Sequence, residues 1–139
     1  MASSLRPCRL GQILIDEDEK RQVLFLVESE PSVGARRLPI AIGTQEAQSI
    51  ARAVSGEAFK RPLTHDLIIG VLTATGWKLT AVRITDFRDQ TFWAELELTD
   101  GSGRTVTIDC RPSDAIALLV RCPGTALLVA ETVLAEQAG

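Results

Sequence analysis

The chain has 139 residues, 45% of them hydrophobic and 24% charged, and a net charge of −3. That is one domain's length, with enough apolar content to bury a core without a disulfide or metal, and too much to stay disordered. The negative balance excludes a protein living by general phosphate neutralisation, so any nucleic-acid contact needs a local basic patch or a bound cation.

Taken in order, Leu10 to Ile15 and Gln22 to Glu28 read as strands around an acidic turn, Asp16 to Lys20. The second strand is apolar on both faces, as a central strand is. A loop is expected from Pro31 to Arg37 and a short strand from Leu38 to Ile42. Thr44 then opens a helix in which Ala47, Ile50, Ala51 and Val54 share one face, and Gly56 stops it. A second helix starts at Thr64, with Leu67, Ile68, Val71 and Leu72 as its expected buried stripe and Gly76 at its end.

Lys78 to Phe87 and Gln90 to Leu98 read as strands. In the latter, Phe92, Ala94, Leu96 and Leu98 alternate with Trp93, Glu95 and Glu97, the period of a strand with one face buried. After an Asp100–Gly103 turn, Thr105 to Cys110 returns with Val106, Ile108 and Cys110 on one face. One register sets Leu98 opposite Val106 and Glu95 opposite Asp109; a shift of two residues pairs Glu95 with Thr107 instead. In the first, two facing carboxylates need a cation or a shared proton. Pro112 or Ser113 opens a third helix, apolar nearly all round from Ala115 to Val120 and ended by Pro123-Gly124. Ala126 to Ala130 is a last strand and Glu131 to Gln137 a short helix. The order β-β-β-α-α-β-β-β-α-β-α predicts an α+β fold with mixed, largely antiparallel sheets and three to four helices, one domain over 1–139 with its core at about 10–135.

No apolar run approaches the ~18 residues of a membrane span. Met1 to Lys20 lacks the apolar stretch of a secretory leader. Cys8, Cys110 and Cys122 are odd in number, widely spaced and without a Cys-x-x-Cys pair, so neither a disulfide framework nor a zinc site is expected, and a reducing cytoplasm is the expected location.

Four blocks stand out: Leu38-Pro39-Ile40 with Ile42-Gly43 and Glu46-Ala47; Arg61-Pro62-Leu63-Thr64-His65-Asp66-Leu67; Thr91-Phe92-Trp93-Ala94; and Asp109 through Leu118, reading DCRPSDAIAL. The second and fourth echo each other, each placing an arginine, a hydroxyl and an aspartate at a helix entrance. In this order the blocks resemble the bifunctional nuclease domain family, across about residues 10 to 135. Ala41 stands where a larger residue is common in that family, and Cys110 where a smaller one is. The resemblance implies this fold and, from plant members credited with RNase and DNase activity, cleavage of RNA, DNA or both.

Phosphodiester hydrolysis needs an activated water, stabilised phosphoryl charge and a protonated leaving oxygen. Carboxylates holding Mg²⁺ or Mn²⁺ supply these, and the candidate metal ligands are Glu46, Asp66, Asp109 and Asp114, with Glu95 a weaker one. Asp66, Asp109, Asp114 and His65 are the candidate catalytic groups, and Arg61, Arg111 and Ser113 the candidate phosphate-binding groups. Each has a plainer reading. Glu46, Asp66 and Asp114 lie in first helical turns, where a carboxylate serves the helix dipole, and Arg61 and Arg111 are natural partners for the two aspartates. His65 beside a helix start reads equally as a capping or surface residue, and Glu95 as a solvated strand residue. Trp77 and Trp93 could stack on bases; Trp93, opposite in face to Phe92, is expected at a contact within a homodimer. No Gly-rich phosphate loop and no Ser-His-Asp order is recognisable in the chain. A metal-dependent nuclease is therefore expected, with a non-catalytic module binding a protein or anionic ligand as the alternative.

Overall fold

A computed structural model describes residues 4–16, 21–30, 34–57 and 60–139. The elements are β1 (Leu5–Asp16), β2 (Arg21–Glu28), β3 (Arg37–Ile42), α1 (Thr44–Ser55), α2 (Thr64–Ala74), β4 (Trp77–Arg88), β5 (Thr91–Asp100), β6 (Thr105–Cys110), α3 (Pro112–Leu119), β7 (Ala126–Ala130) and α4 (Glu131–Gln137). The expected order is observed, and the fold is α+β. Residues 17–20 of the acidic turn and 31–33 of the first loop lie outside the described residues.

The seven strands form one sheet in the order β3-β2-β1-β7-β4-β5-β6. Only β4 and β7 run parallel; every other pair is antiparallel. β1 starts five residues earlier than its apolar pattern suggests, because Leu5 to Pro7 pair with β7 before the strand passes to β2. The irregularity between Leu10 and Ile13 contains Gly11, where a Cβ would stand 2.8 Å from Val27 Cγ2. Glycine permits this close strand approach. β2 is central on the β3 side, with Leu24 and Leu26 fully buried. Asp89 and Gln90 form the two-residue turn between β4 and β5, both with positive φ, so Gln90 belongs to the turn and not to the strand. That is the backbone of a tight hairpin turn, here built without glycine.

α3 is buried from Ala115 to Leu118, as an apolar helix must be, and it packs against α1, α2, β4 and β5. α1 buries Ala47 and Ile50 but leaves Val54 exposed. α2 departs from its pattern. Leu67 and Val71 are 59% and 53% exposed and Ile68 is also exposed, while His65, Ile69 and Leu72 face inward. The expected stripe is overturned because α2 turns a polar anchor, His65, towards α1 and α3, which rotates the strongest apolar face outwards.

Candidate functional site

The β5–β6 hairpin takes the register that sets Leu98 opposite Val106 and Glu95 opposite Asp109. The required cation is Arg83 on β4, directly across from Glu95, with Nη1 3.1 Å from the Glu95 carboxylate and a second bond to Glu97. Cys110 ends β6, Arg111 is the N-cap of α3, and Pro112 fits the first helical position, where its missing N–H costs nothing. This turn delivers Arg111 and Asp114 to the entrances of α1 and α2.

There the three helices meet in one hydrogen-bonded chain. His65 Nε2 lies 2.9 Å from Asp114 Oδ1, and Nδ1 lies 2.7 Å from Ser49 Oγ. The guanidinium of Arg111 donates to Asp114 Oδ2 at 2.9 Å and reaches Glu46 Oε1 at 3.2 Å. Glu46 lies back against the helix start, where any side chain at Gly43 would collide with its carboxylate. Arg121, nearly buried behind α3, donates to Ser49 Oγ at 3.1 Å, to Asp66 Oδ1 at 2.7 Å and to the Ala117 carbonyl at 2.7 Å. Asp66 also accepts the Leu63 N–H.

Electrostatics give the chain a direction. Burial pushes the Asp114 carboxyl up, but hydrogen bonds from His65 and Arg111 outweigh it and hold the group below the usual carboxylate range. An ionised carboxylate only accepts, so Nε2 carries the proton towards Asp114. In the neutral imidazole Nδ1 then accepts, and Ser49 donates to it while receiving from Arg121. The Arg121 hydrogen bond, followed by the Leu63 N–H, likewise lowers the Asp66 pKa.

Two cavities flank the cluster. A polar one of about 640 Å³ is lined by Glu46, Ser49, Arg52, His65, Arg111 and Asp114 among others. A mainly apolar one of about 810 Å³ lies between α2, α3 and β5–β6, with His65, Arg111 and Asp114 in its wall. Arg111 is the exposed member, its side chain 66% accessible, whereas His65 is 11% accessible.

Of the sequence candidates, Glu46, His65, Arg111 and Asp114 converge. Asp66 lines a different cavity and neutralises Arg121. Asp109 lines the apolar cavity and has no hydrogen-bond or ion-pair partner among the described residues. Ser113 is buried in the first turn of α3, and Arg61 is exposed ahead of α2 and lines neither flanking cavity. Arg121, not Arg61, is the partner of Asp66. Ser49 and Arg121 were not candidates in the sequence. The one available signal for Ser49 is its three-residue spacing from Glu46, which sets both on one flank of α1.

Among the described residues no three His, Cys, Asp or Glu side chains are arranged to hold a metal. Glu46 and Asp114 both close on the guanidinium of Arg111.

Residues 24–139 match the bifunctional nuclease domain family. An uncharacterised protein of Mycobacterium tuberculosis is 40% identical over 128 residues, covering 92% of this chain and 73% of its own length. Bifunctional nuclease 2 of Oryza sativa subsp. japonica is 31% identical over 87 residues, which cover 61% of this chain and 27% of the plant protein. Bifunctional nuclease 2 of Arabidopsis thaliana is 29% identical over 87 residues, covering 61% and 26%. By the extent of the family match, together with the four blocks and the fold they build, the chain belongs to the bifunctional nuclease domain family.

Proposed function

We propose that the chain is a nuclease that hydrolyses phosphodiesters of RNA, DNA or both at the Glu46–His65–Arg111–Asp114 cluster. The observation that carries this reading is the convergence of three separate sequence blocks on one exposed arginine between two cavities. Arg111 binds the phosphate, for which its planar fork is suited. In doing so it leaves Asp114, removing one of the two hydrogen bonds that hold that carboxyl down. Burial then raises its basicity, so arrival of the phosphate itself prepares Asp114 to take a proton from the attacking water, with His65 orienting it. Arg111 stays on the phosphoryl oxygens as their charge develops, the P–O bond opposite the attacking water breaks, and the leaving oxygen takes its proton from solvent.

The test is cleavage of labelled single-stranded RNA and DNA by highly purified protein, with Mg²⁺ or Mn²⁺ and with EDTA, beside folded Asp114→Asn and Arg111→Lys variants. Each variant is expected to lose about 10²-fold or more of the activity. Equal cleavage by wild type and both variants would overturn the site. Mutual pairing of Glu46, Arg111 and Asp114 also favours a second reading, a non-catalytic module that binds an anionic ligand at Arg111; binding of a strand without cleavage under any of these conditions is its signature. No helix among the described residues is long and apolar enough to cross a membrane, and the three cysteines are free. Both facts are compatible with a cytoplasmic site of action.

A further inference from the structure

Arg111 also borders a third cavity, of about 670 Å³, which the cluster does not use. Here the end of β3 and the start of α1 face the entrance of α3 and the tip of the β4–β5 hairpin. Arg111 is the one charged residue in its wall. The two cavities that flank the cluster differ, since Asp109 and Asp114 line the apolar one and Glu46 and Asp114 the polar one. In a chain of net charge −3, this is a local reversal of sign. The first turn of α3 sets its chemistry. Arg111, the N-cap, gives the helix no side-chain hydrogen bond, and Pro112 has no N–H. The donors left without a helical partner are therefore the N–H groups of Ser113 and Asp114. Ser113 is only 6% exposed, yet its hydroxyl has no hydrogen-bond partner among the described residues. It is not sealed in. Of the described side-chain polar atoms, the Trp93 N–H is the one that lacks both a partner and any open surface, so the Ser113 hydroxyl keeps an opening on the cavity it lines. A buried polar group without a partner is costly, and an entering ligand recovers that cost.

We propose that this cavity is a second phosphate subsite, taking the phosphate next to the scissile one in the same strand; it rests on the nuclease reading of the neighbouring cluster. A guanidinium, a hydroxyl and two backbone N–H groups all offer donors, and the positive end of the α3 dipole lies beneath them, so the fitting ligand is an anion. Asp114 belongs to the same helical turn, but its carboxylate is turned away and accepts from His65 and Arg111. A phosphodiester has two non-bridging oxygens, one for the hydroxyl and one for the N–H pair. Phe87 and Phe92, with ring centres 4.6 Å apart, give the cavity an apolar side, where a charge interaction is screened less than in water. Arg111 belongs to the walls of both the polar cavity and this one. A strand with its reacting phosphate in the polar cavity therefore passes over Arg111 and lays the next phosphate on the entrance of α3. The site thus selects strands with two consecutive phosphates. The negative net charge fits this mode, because the contact is made by one helix entrance and one arginine and not by a basic track.

The experiment measures how well short competitors displace a fluorescein-labelled single strand from the full chain. The competitors are a dinucleoside with one phosphodiester, a trinucleoside with two, and that trinucleoside with either phosphodiester replaced by a neutral methylphosphonate. Inorganic phosphate is titrated separately, and cleavage of the labelled strand is followed on the same samples. The trinucleoside should bind about tenfold or more tightly than the dinucleoside, as for one set of hydrogen bonds to a charged group. Either methylphosphonate should remove that gain. Ser113→Ala should reduce it several-fold. Gln90→Glu should reduce it too, because it sets a carboxylate in the cavity wall; the change is isosteric and lies on an exposed turn, away from the helix and the core. Equal binding of dinucleoside and trinucleoside overturns the subsite, and cleavage in those same samples leaves the nuclease reading standing. A gain without cleavage does the reverse. A gain that survives both substitutions places the second phosphate elsewhere and overturns the proposal. Inorganic phosphate that binds in a Ser113-dependent way, beside a trinucleoside with no gain, shows a site for a free anion and also overturns it.

Discussion

Ser49 holds the site's least obvious position. Its hydroxyl bridges two cationic or protonatable side chains, Arg121 behind and His65 in front. Remove it and the half-buried imidazole nitrogen loses its partner, while the Arg121 Nη2 donor keeps the longer bond to the Ser49 carbonyl, at 3.4 Å. A buried donor or acceptor left unsatisfied costs about 1–3 kcal/mol. Ser49→Ala should therefore lower stability to urea by about 1–2 kcal/mol and reduce cleavage, while Ser49→Thr, which retains the hydroxyl, should restore most of both. A Ser49→Ala protein as stable and as active as wild type would show that the hydrogen-bonded chain has no energetic weight. None of this was readable along the chain. Ser49 precedes His65 by sixteen residues and Arg121 follows Asp66 by fifty-five. The sequence therefore presented Arg61 as the natural partner of Asp66 when the fold supplies Arg121 instead. Arg111 and Asp114 were legible because they are three residues apart on one turn.

At the scale of elements, periodicity identified every strand and helix, and it failed where a polar group decides the orientation. The stripe Leu67, Ile68, Val71, Leu72 is the most apolar face of α2, yet only Leu72 packs inward, because the His65 anchor turns the helix. The β5–β6 hairpin shows the opposite case. Its two possible registers could not be separated from the hairpin alone, since the deciding residue is on a third strand. Arg83 on β4 neutralises both Glu95 and Glu97 and so makes tolerable an Asp109 directly across from Glu95. Arg83→Leu should then destabilise the fold by about 1–2 kcal/mol, the cost of leaving partly buried carboxylates facing a third one. Adding Glu95→Gln to that variant should recover part of the loss, and raised salt should also reduce it. A double variant no more stable than Arg83→Leu alone would refute the idea that charge sets this register.

Across the whole molecule, one arginine ties the β2 end of the seven-stranded sheet to the start of α4. Arg36 makes a two-pronged pair with Glu28, at 2.7 and 3.1 Å, and a second with Glu131, at 2.9 and 2.7 Å; Glu131 also accepts from Arg6 on β1. Beside it, Arg37 and Gly139 exchange backbone hydrogen bonds, so β3 is joined to the segment after α4. The cluster thus links β1, β2, the approach to β3 and α4, which are far apart in the chain. Hydrogen bonding to Arg36 is the main reason that both Glu28 and Glu131 titrate below the ordinary glutamate value of 4.5, and the Arg36 pKa is raised in return. A carboxylate whose pKa is depressed on folding stabilises the fold fully above its unfolded value and loses that contribution as pH falls through its folded value. Stability to urea should therefore be level from pH 8 to about 5 and decline below ~4.5. Glu28→Gln should cost about 1–2 kcal/mol at pH 7, because a neutral amide replaces the carboxylate and leaves the Arg36 charge with Glu131 as its remaining carboxylate partner in the pair. That difference should shrink steadily as the wild-type carboxyl protonates, and the two proteins should approach each other near pH 3. A gap between them that stays constant from pH 7 to pH 3 would mean that Glu28 contributes through shape and not through charge, and that the clamp lies elsewhere.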